Sequence, residues 1–145
     1  MIHKILFYII SWTWGLPMTL VGVVGTLGLI ITKHKPRRWG YCWCFEIGRG
    51  WGGLSLGPVI ITSQTATDCA KIHEHGHSIQ NCLFGPFMLL VVSIPSVIRY
   101  WCRKWAVNNG LVDLNDLPDY DSVWYEKQAT KFGTEFIDWH ENNTK

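Results

Sequence analysis

Residues 5–32 contain no Asp, Glu, Lys, Arg or His, an uncharged run of 28 residues. About 20 apolar residues suffice to cross a bilayer as a helix, so the run predicts an N-terminal transmembrane helix. A secretory signal peptide would have a shorter apolar core and a small-residue cleavage site. Gly15-Leu16-Pro17 interrupts the run and predicts a kink about a third of the way along it. Gly22, Gly25 and Gly28 recur at spacing three and would leave one helix face thin enough for close packing. The basic flank Lys33-His34-Lys35-Pro36-Arg37-Arg38 follows, whereas a single lysine, Lys4, precedes. By the positive-inside rule the N-terminus then lies outside and everything from residue 33 onward lies on the cytoplasmic side. The expected organisation is an anchor at 1–38 and a second domain at 39–145.

Composition agrees with a chain short of solvating surface. Charged residues make up 17% of the 145, against about 25% in ordinary soluble domains. Nine Trp are present, a side chain that collects where an apolar body meets a wet edge. Low charge and the lack of any repeat exclude disorder, collagen-like repeats and coiled coils. The net charge of +2 hides an asymmetry: residues 1–105 hold ten basic and three acidic side chains, residues 106–145 three and eight. The five cysteines form no C-x-x-C pair, so they read as reduced, small hydrophobes rather than a disulfide framework or zinc knuckle.

A second apolar run, residues 83–98, is 16 residues long and carries Gly85-Pro86 and Pro95. As a helix it would cover about 24 Å, short of the roughly 30 Å hydrocarbon core. A re-entrant or membrane-dipping segment is therefore expected, with Arg99, Arg103 and Lys104 among Tyr100, Trp101 and Trp105 as an interfacial anchor. Between the two runs, Tyr41, Trp43, Phe45 and Ile47 alternate with Cys42, Cys44 and Glu46, the period of a strand. A glycine-rich turn at 48–53 and an extended stretch at 54–62 complete a small hairpin or sheet, Pro58 fitting only an edge strand. Thr65-Ala66-Thr67-Asp68 has the form of a helix cap, opening a helix to about Cys82. The fold class expected is thus α+β and membrane-anchored, ending in a C-terminal helix.

Residues 73–77 read His73-Glu74-His75-Gly76-His77, an H-E-x-x-H motif. At 100° per residue a helix puts His73 and His77 about 40° apart, one turn from each other on one face. Both imidazoles then reach one zinc ion, with Glu74 bordering the site. Zinc lowers the pKa of a bound water, and a carboxylate beside it can take the water's proton. His75 would lie on the opposite side of the helix. Catalytic zinc sites offer three protein ligands, so a third is required. Downstream, Glu126-Lys127-Gln128-Ala129-Thr130 stands out, with Asp121-Ser122 as a helix cap before it and Gly133 as a stop after it.

Here the sequence resembles the gluzincin class of zinc metallopeptidases, in which H-E-x-x-H on one helix is joined by a Glu on a later helix, commonly as E-x-x-A-D. His73, Glu74 and His77 match the first motif, and Glu126 and Ala129 match the second. Thr130 stands in place of the Asp that steadies a ligand histidine in that class. The stretch from 73 to 87, followed by Pro95-Ser96, also looks like one in small bacterial or phage membrane proteins carrying H-E-x-G-H. The resemblance implies Zn²⁺ held by His73, His77 and Glu126, with Glu74 as catalytic base. Asp121, Asp138 and His140 stay open as alternative third ligands, while His3 and His34 read as interfacial.

Topology constrains this assignment. Were residues 83–98 to cross the bilayer, Glu126 would emerge on the side opposite His73 and His77, so a shared ion demands that the segment turn back. The function expected is a membrane-associated zinc metallopeptidase whose partners are a lipid bilayer and a peptide or protein substrate, aligned along a strand at 52–61 by β-augmentation. Two other classes compete: a non-catalytic membrane protein of structural, phage or immunity type, and a metal-binding module presenting His73, His75 and His77 from an extended segment. Nucleic-acid binding is not indicated, because membrane orientation accounts for the basic cluster at 33–38.

Overall fold

The computed structural model describes residues 2–143. The uncharged run does not form one helix. It makes α1 (Ile2–Trp12) and α2 (Leu16–Ile31), bent by 90° at the break between them. Pro17 sits in the first turn of α2, where its missing N–H costs nothing and its ring could not have continued α1. The Thr19 hydroxyl donates to the Ser11 carbonyl at 2.7 Å, satisfying a backbone group that the bend exposes. At 16 residues α2 is about 24 Å long. No single helix among the described residues is long and apolar enough to cross a membrane, which corrects the expected transmembrane anchor. The orientation drawn from the basic flank presupposed such a crossing helix.

Four strands follow: β1 (Arg37–Trp39), β2 (Cys42–Glu46), β3 (Gly53–Leu56) and β4 (Val59–Thr62). Their order is β1-β2-β4-β3, with β2 and β4 parallel and the other pairs antiparallel. The stretch expected as one strand at 52–61 is a hairpin instead. Gly57, at φ +64°, and Pro58 form its turn, so Pro58 never has to donate to a ladder. Central β4 is buried at every position, as its β-branched run Val59-Ile60-Ile61-Thr62 requires. Ile60, Cys42 and Cys44 pack with Phe7 of α1. Phe45, Leu56, Val59 and Ile61 pack with Met18 of α2 and with Met88 and Val92. Cys42, Cys44 and Cys82 act as small apolar side chains without disulfides, and burial pushes the Cys42 thiol up to about 12.

Helix α3 (Asp68–Phe84) is capped by the Thr67 hydroxyl, which accepts from the Ala70 N–H at 3.3 Å. Beyond it a 3-10 turn (Gly85–Phe87) and a π-helical turn (Leu89–Ser93) lead into α4 (Ile94–Asn108), and the path bends by 118°. The segment expected as a membrane-dipping hairpin is this elbow between two helices. Pro86 and Pro95 fall in first turns, where they shape the elbow without breaking a helix. Met88 and Val92 of the elbow are buried in the core, so it is part of the folded body.

Helix α5 (Trp124–Asn143) returns along α3 and passes through Gly133, which is not the expected stop. A Cβ at Gly76 would strike the Ala129 carbonyl oxygen, and a Cβ at Gly133 would strike the Ile72 carbonyl oxygen. The helices therefore meet backbone to backbone, leaving no room for a methyl group. Gly133→Ala should consequently destabilise the protein, by about 1–3 kcal/mol, although Gly to Ala in a helix interior ordinarily stabilises. Thermal melts of the variant and the parent check the sign.

Candidate metal centre

The α3–α5 contact brings three side chains together from two distant parts of the chain. His73 Nε2 and His77 Nε2 lie 2.9 Å and 3.2 Å from the same atom, Glu126 Oε2. The three groups can each offer a ligand atom within 4.8 Å of the others, and no other such cluster of His, Cys, Asp or Glu occurs among the described residues. The histidines project from successive turns of α3 and Glu126 from the first turn of α5. Asp121, Asp138 and His140 are not part of the cluster.

The hydrogen bonds behind these groups fix which ring nitrogen faces the cluster. Gln80 Nε2 donates to the Tyr125 carbonyl at 2.8 Å, which leaves Gln80 Oε1 to face His77 Nδ1 at 2.7 Å. An amide oxygen only accepts, so Nδ1 carries a hydrogen, and Nε2 is the ring nitrogen turned toward Glu126. Thr130 Oγ1 lies 2.8 Å from His73 Nδ1 and can do the same for that ring. The hydroxyl is a neutral acceptor, weaker than a carboxylate would be in its place.

Glu126 is fully buried, and among the described residues its Oε1 has no hydrogen-bond partner. Burial opposes its ionisation, but the hydrogen bonds to His73 and His77 outweigh that and hold the carboxyl far below the usual carboxylate range. The carboxylate thus has one oxygen, Oε2, shared by two imidazole Nε2 atoms and the other unpaired, a set that a cation could hold in place of the imidazole protons. The residues present therefore fit a divalent metal ion. The oxygen and nitrogen donors, three in number with room on the cavity side, match a site that keeps a position open.

Glu74 follows His73 on α3 and lines the same cavity of about 720 Å³. Burial raises its pKa, and the neighbouring histidines only partly offset this. Gly53 of β3 lies against it: a Cβ there would come within 2.6 Å of Glu74 Oε1. The sheet edge and the carboxylate are in contact because residue 53 has no side chain. His75 behaves as the helical reading requires. It is buried on the other side of α3, stacked on Phe136 at 4.0 Å, and accepts from the Tyr41 N–H at 3.3 Å. Burial pushes its pKa down to about 3, so it is neutral there. The extended segment that would align His73, His75 and His77 is absent.

The sequence did not single out Tyr120. Its ring stands 6.0 Å from that of His73 and lines the same cavity. Burial, then the charge of Glu126, raises its hydroxyl to about 12, so it remains a donor at neutral pH. It lies in the irregular connection between α4 and α5, where no periodicity marks it.

No protein-family model, curated protein or solved structure matches the chain.

The purified protein should bind one equivalent of a divalent metal by elemental analysis. Thr130→Val should weaken that binding by about 10–100-fold. Glu126→Ala should abolish it, and undiminished metal content in Glu126→Ala would place the site elsewhere.

Proposed function

We propose that the protein is a zinc-dependent peptidase of gluzincin type, with His73, His77 and Glu126 as ligands and Glu74 as the general base. The observation that carries this reading is the convergence of three ligand atoms at the foot of a cavity that Glu74 also lines. Zinc is favoured over other divalent ions because two imidazoles, one carboxylate and an open position are its usual catalytic set. Bound there, it would polarise the scissile carbonyl and acidify the attacking water.

The chain's own groups divide the remaining work. The raised pKa of Glu74 suits a base that takes the proton of the attacking water and later returns it to the leaving nitrogen. A carbon–oxygen bond forms, the carbon–nitrogen bond breaks, and the products are a carboxylic acid and an amine. Tyr120, kept protonated, supplies a hydroxyl for the charge that develops on the carbonyl oxygen. Among the described residues β3 pairs with β4 alone, so its other edge is open to an extended peptide, and Gly53 brings that edge against Glu74.

Glu74→Gln should keep the metal and lose turnover by about 10²–10⁴-fold on a quenched fluorescent peptide library. Normal cleavage by Glu74→Gln, or no zinc-dependent cleavage by the parent, would overturn the reading.

Association with a lipid surface belongs to the same proposal. Val24 and Ile31 of α2 and Leu90 of the elbow are 71%, 79% and 66% exposed. Trp12 and Trp14 at the α1–α2 bend, and Trp101 and Trp105 on α4, are exposed beside them in sequence. Apolar exposure on this scale is unusual for a soluble monomer and suits contact with acyl chains, with Trp at the interface. The protein should co-sediment with phosphatidylglycerol vesicles, and Val24→Glu with Leu90→Glu should release it. A parent protein that stays monomeric in the supernatant without detergent would refute the association.

A further inference from the structure

The cavity above the candidate metal centre is chemically two-sided. At its foot are His73, Glu74 and His77, and elsewhere its lining is mostly apolar. Two cations also line it, Arg103 and Lys104 of α4. Among the described residues three cations have carboxylate partners: Lys71 and Arg37 pair with Glu46, and Lys131 pairs with Glu135. Neither Arg103 nor Lys104 is in an ion pair among the described residues. Arg103 Nη1 donates to the Pro118 carbonyl at 2.7 Å, and its Cζ stands 5.7 Å from the Tyr120 ring centre. The Lys104 ammonium lies 5.4 Å from the Trp101 ring centre and 5.7 Å from that of Tyr100. These aromatic faces hold the ammonium without neutralising it.

The guanidinium is also near the chemistry. Tyr120 touches both His73 and Arg103, so one aromatic ring separates the cation from a ligand histidine. An apolar cavity that carries two unneutralised cations at such a place is built for an anionic group on an otherwise apolar ligand. A carboxylate has the geometry that a guanidinium fork recognises and is the anion a peptide carries.

We infer that Arg103 and Lys104 bind a carboxylate of the substrate, making the preferred substrate an apolar peptide segment that carries a negative charge. The carboxylate has two sources, the C-terminus of the peptide or an Asp or Glu side chain. The inference deepens the peptidase reading, and its test reads binding rather than turnover. Its failure is therefore separable from failure of the catalytic assignment.

The probes are three N-dansylated tripeptides: Phe-Leu-Phe with a free C-terminus, the same peptide as the amide, and Phe-Leu-Glu as the amide. Binding to the full chain in EDTA-treated buffer is read by energy transfer from tryptophan to dansyl. At least one acidic peptide should bind about tenfold more tightly than Phe-Leu-Phe amide, and the tighter of the two identifies the source of the carboxylate. Arg103→Gln with Lys104→Gln should erase that preference and leave the affinity for Phe-Leu-Phe amide unchanged. Lys104→Gln alone, which breaks no hydrogen bond given above, should reduce the preference several-fold in a chain with an unaltered melt. Equal affinity for all three peptides, an acid preference that survives the double substitution, or no saturable binding of any probe would overturn the inference.

Discussion

A carboxylate near one end of the chain meets two histidines from its middle because α3 and α5 cross with backbone against backbone. Gly76 and Gly133 make that crossing possible, each facing a carbonyl of the other helix where a methyl group would not fit. Gly76 lies inside the H-E-x-x-H motif, one residue before the candidate ligand His77. The glycine that sets the interhelical distance and the histidine that uses it are thus adjacent. Once the helices are this close, Glu126 is fully buried and its Oε2 meets the Nε2 atoms of His73 and His77. Close packing and the electrostatics of the site are therefore one constraint.

The groups around the ligands extend the same logic. Gln80 is one turn beyond His77 and is tied to α5 through Tyr125 and Gln128, so it couples the ring orientation to the helix crossing. Thr130 does this for His73 from the α5 side. On the cavity side, Gly53 places a free strand edge against Glu74. α4, brought round by the elbow, contributes the apolar and cationic part of the lining. The 118° bend thus does for the cavity what the helix crossing does for His73, His77 and Glu126.

The helical parts of the site were legible in the sequence for a definite reason. The spacing of His73, Glu74 and His77 has meaning at 100° per residue whatever surrounds it, and Thr67 caps its helix through a local hydrogen bond. The nature of the apolar runs was less legible. A stretch without charge has the same composition whether it crosses a membrane, packs into a core or lies exposed, and Gly15-Leu16-Pro17 turned a kink into a 90° break. Likewise Gly133 reads as a helix stop by local propensity, yet in the fold it is a point of contact. Tyr120 and the cationic pair Arg103 and Lys104 carried no signal of shared purpose, since they meet the site only across a connection without periodicity.

By itself the sequence determined the α+β character, the helix at 68–84, the capping of that helix and the face that His73 and His77 share, because each depends on neighbours a few residues away. Only the tertiary structure decided that the long apolar run is two helices, that β3 is a free edge beside Glu74, and that Glu126 rather than Asp121, Asp138 or His140 joins the histidines. The last of these rests on the distance between segments some fifty residues apart, the 53-residue separation of His73 and Glu126. Such distances are set by packing volumes at Gly76 and Gly133, which no local pattern records.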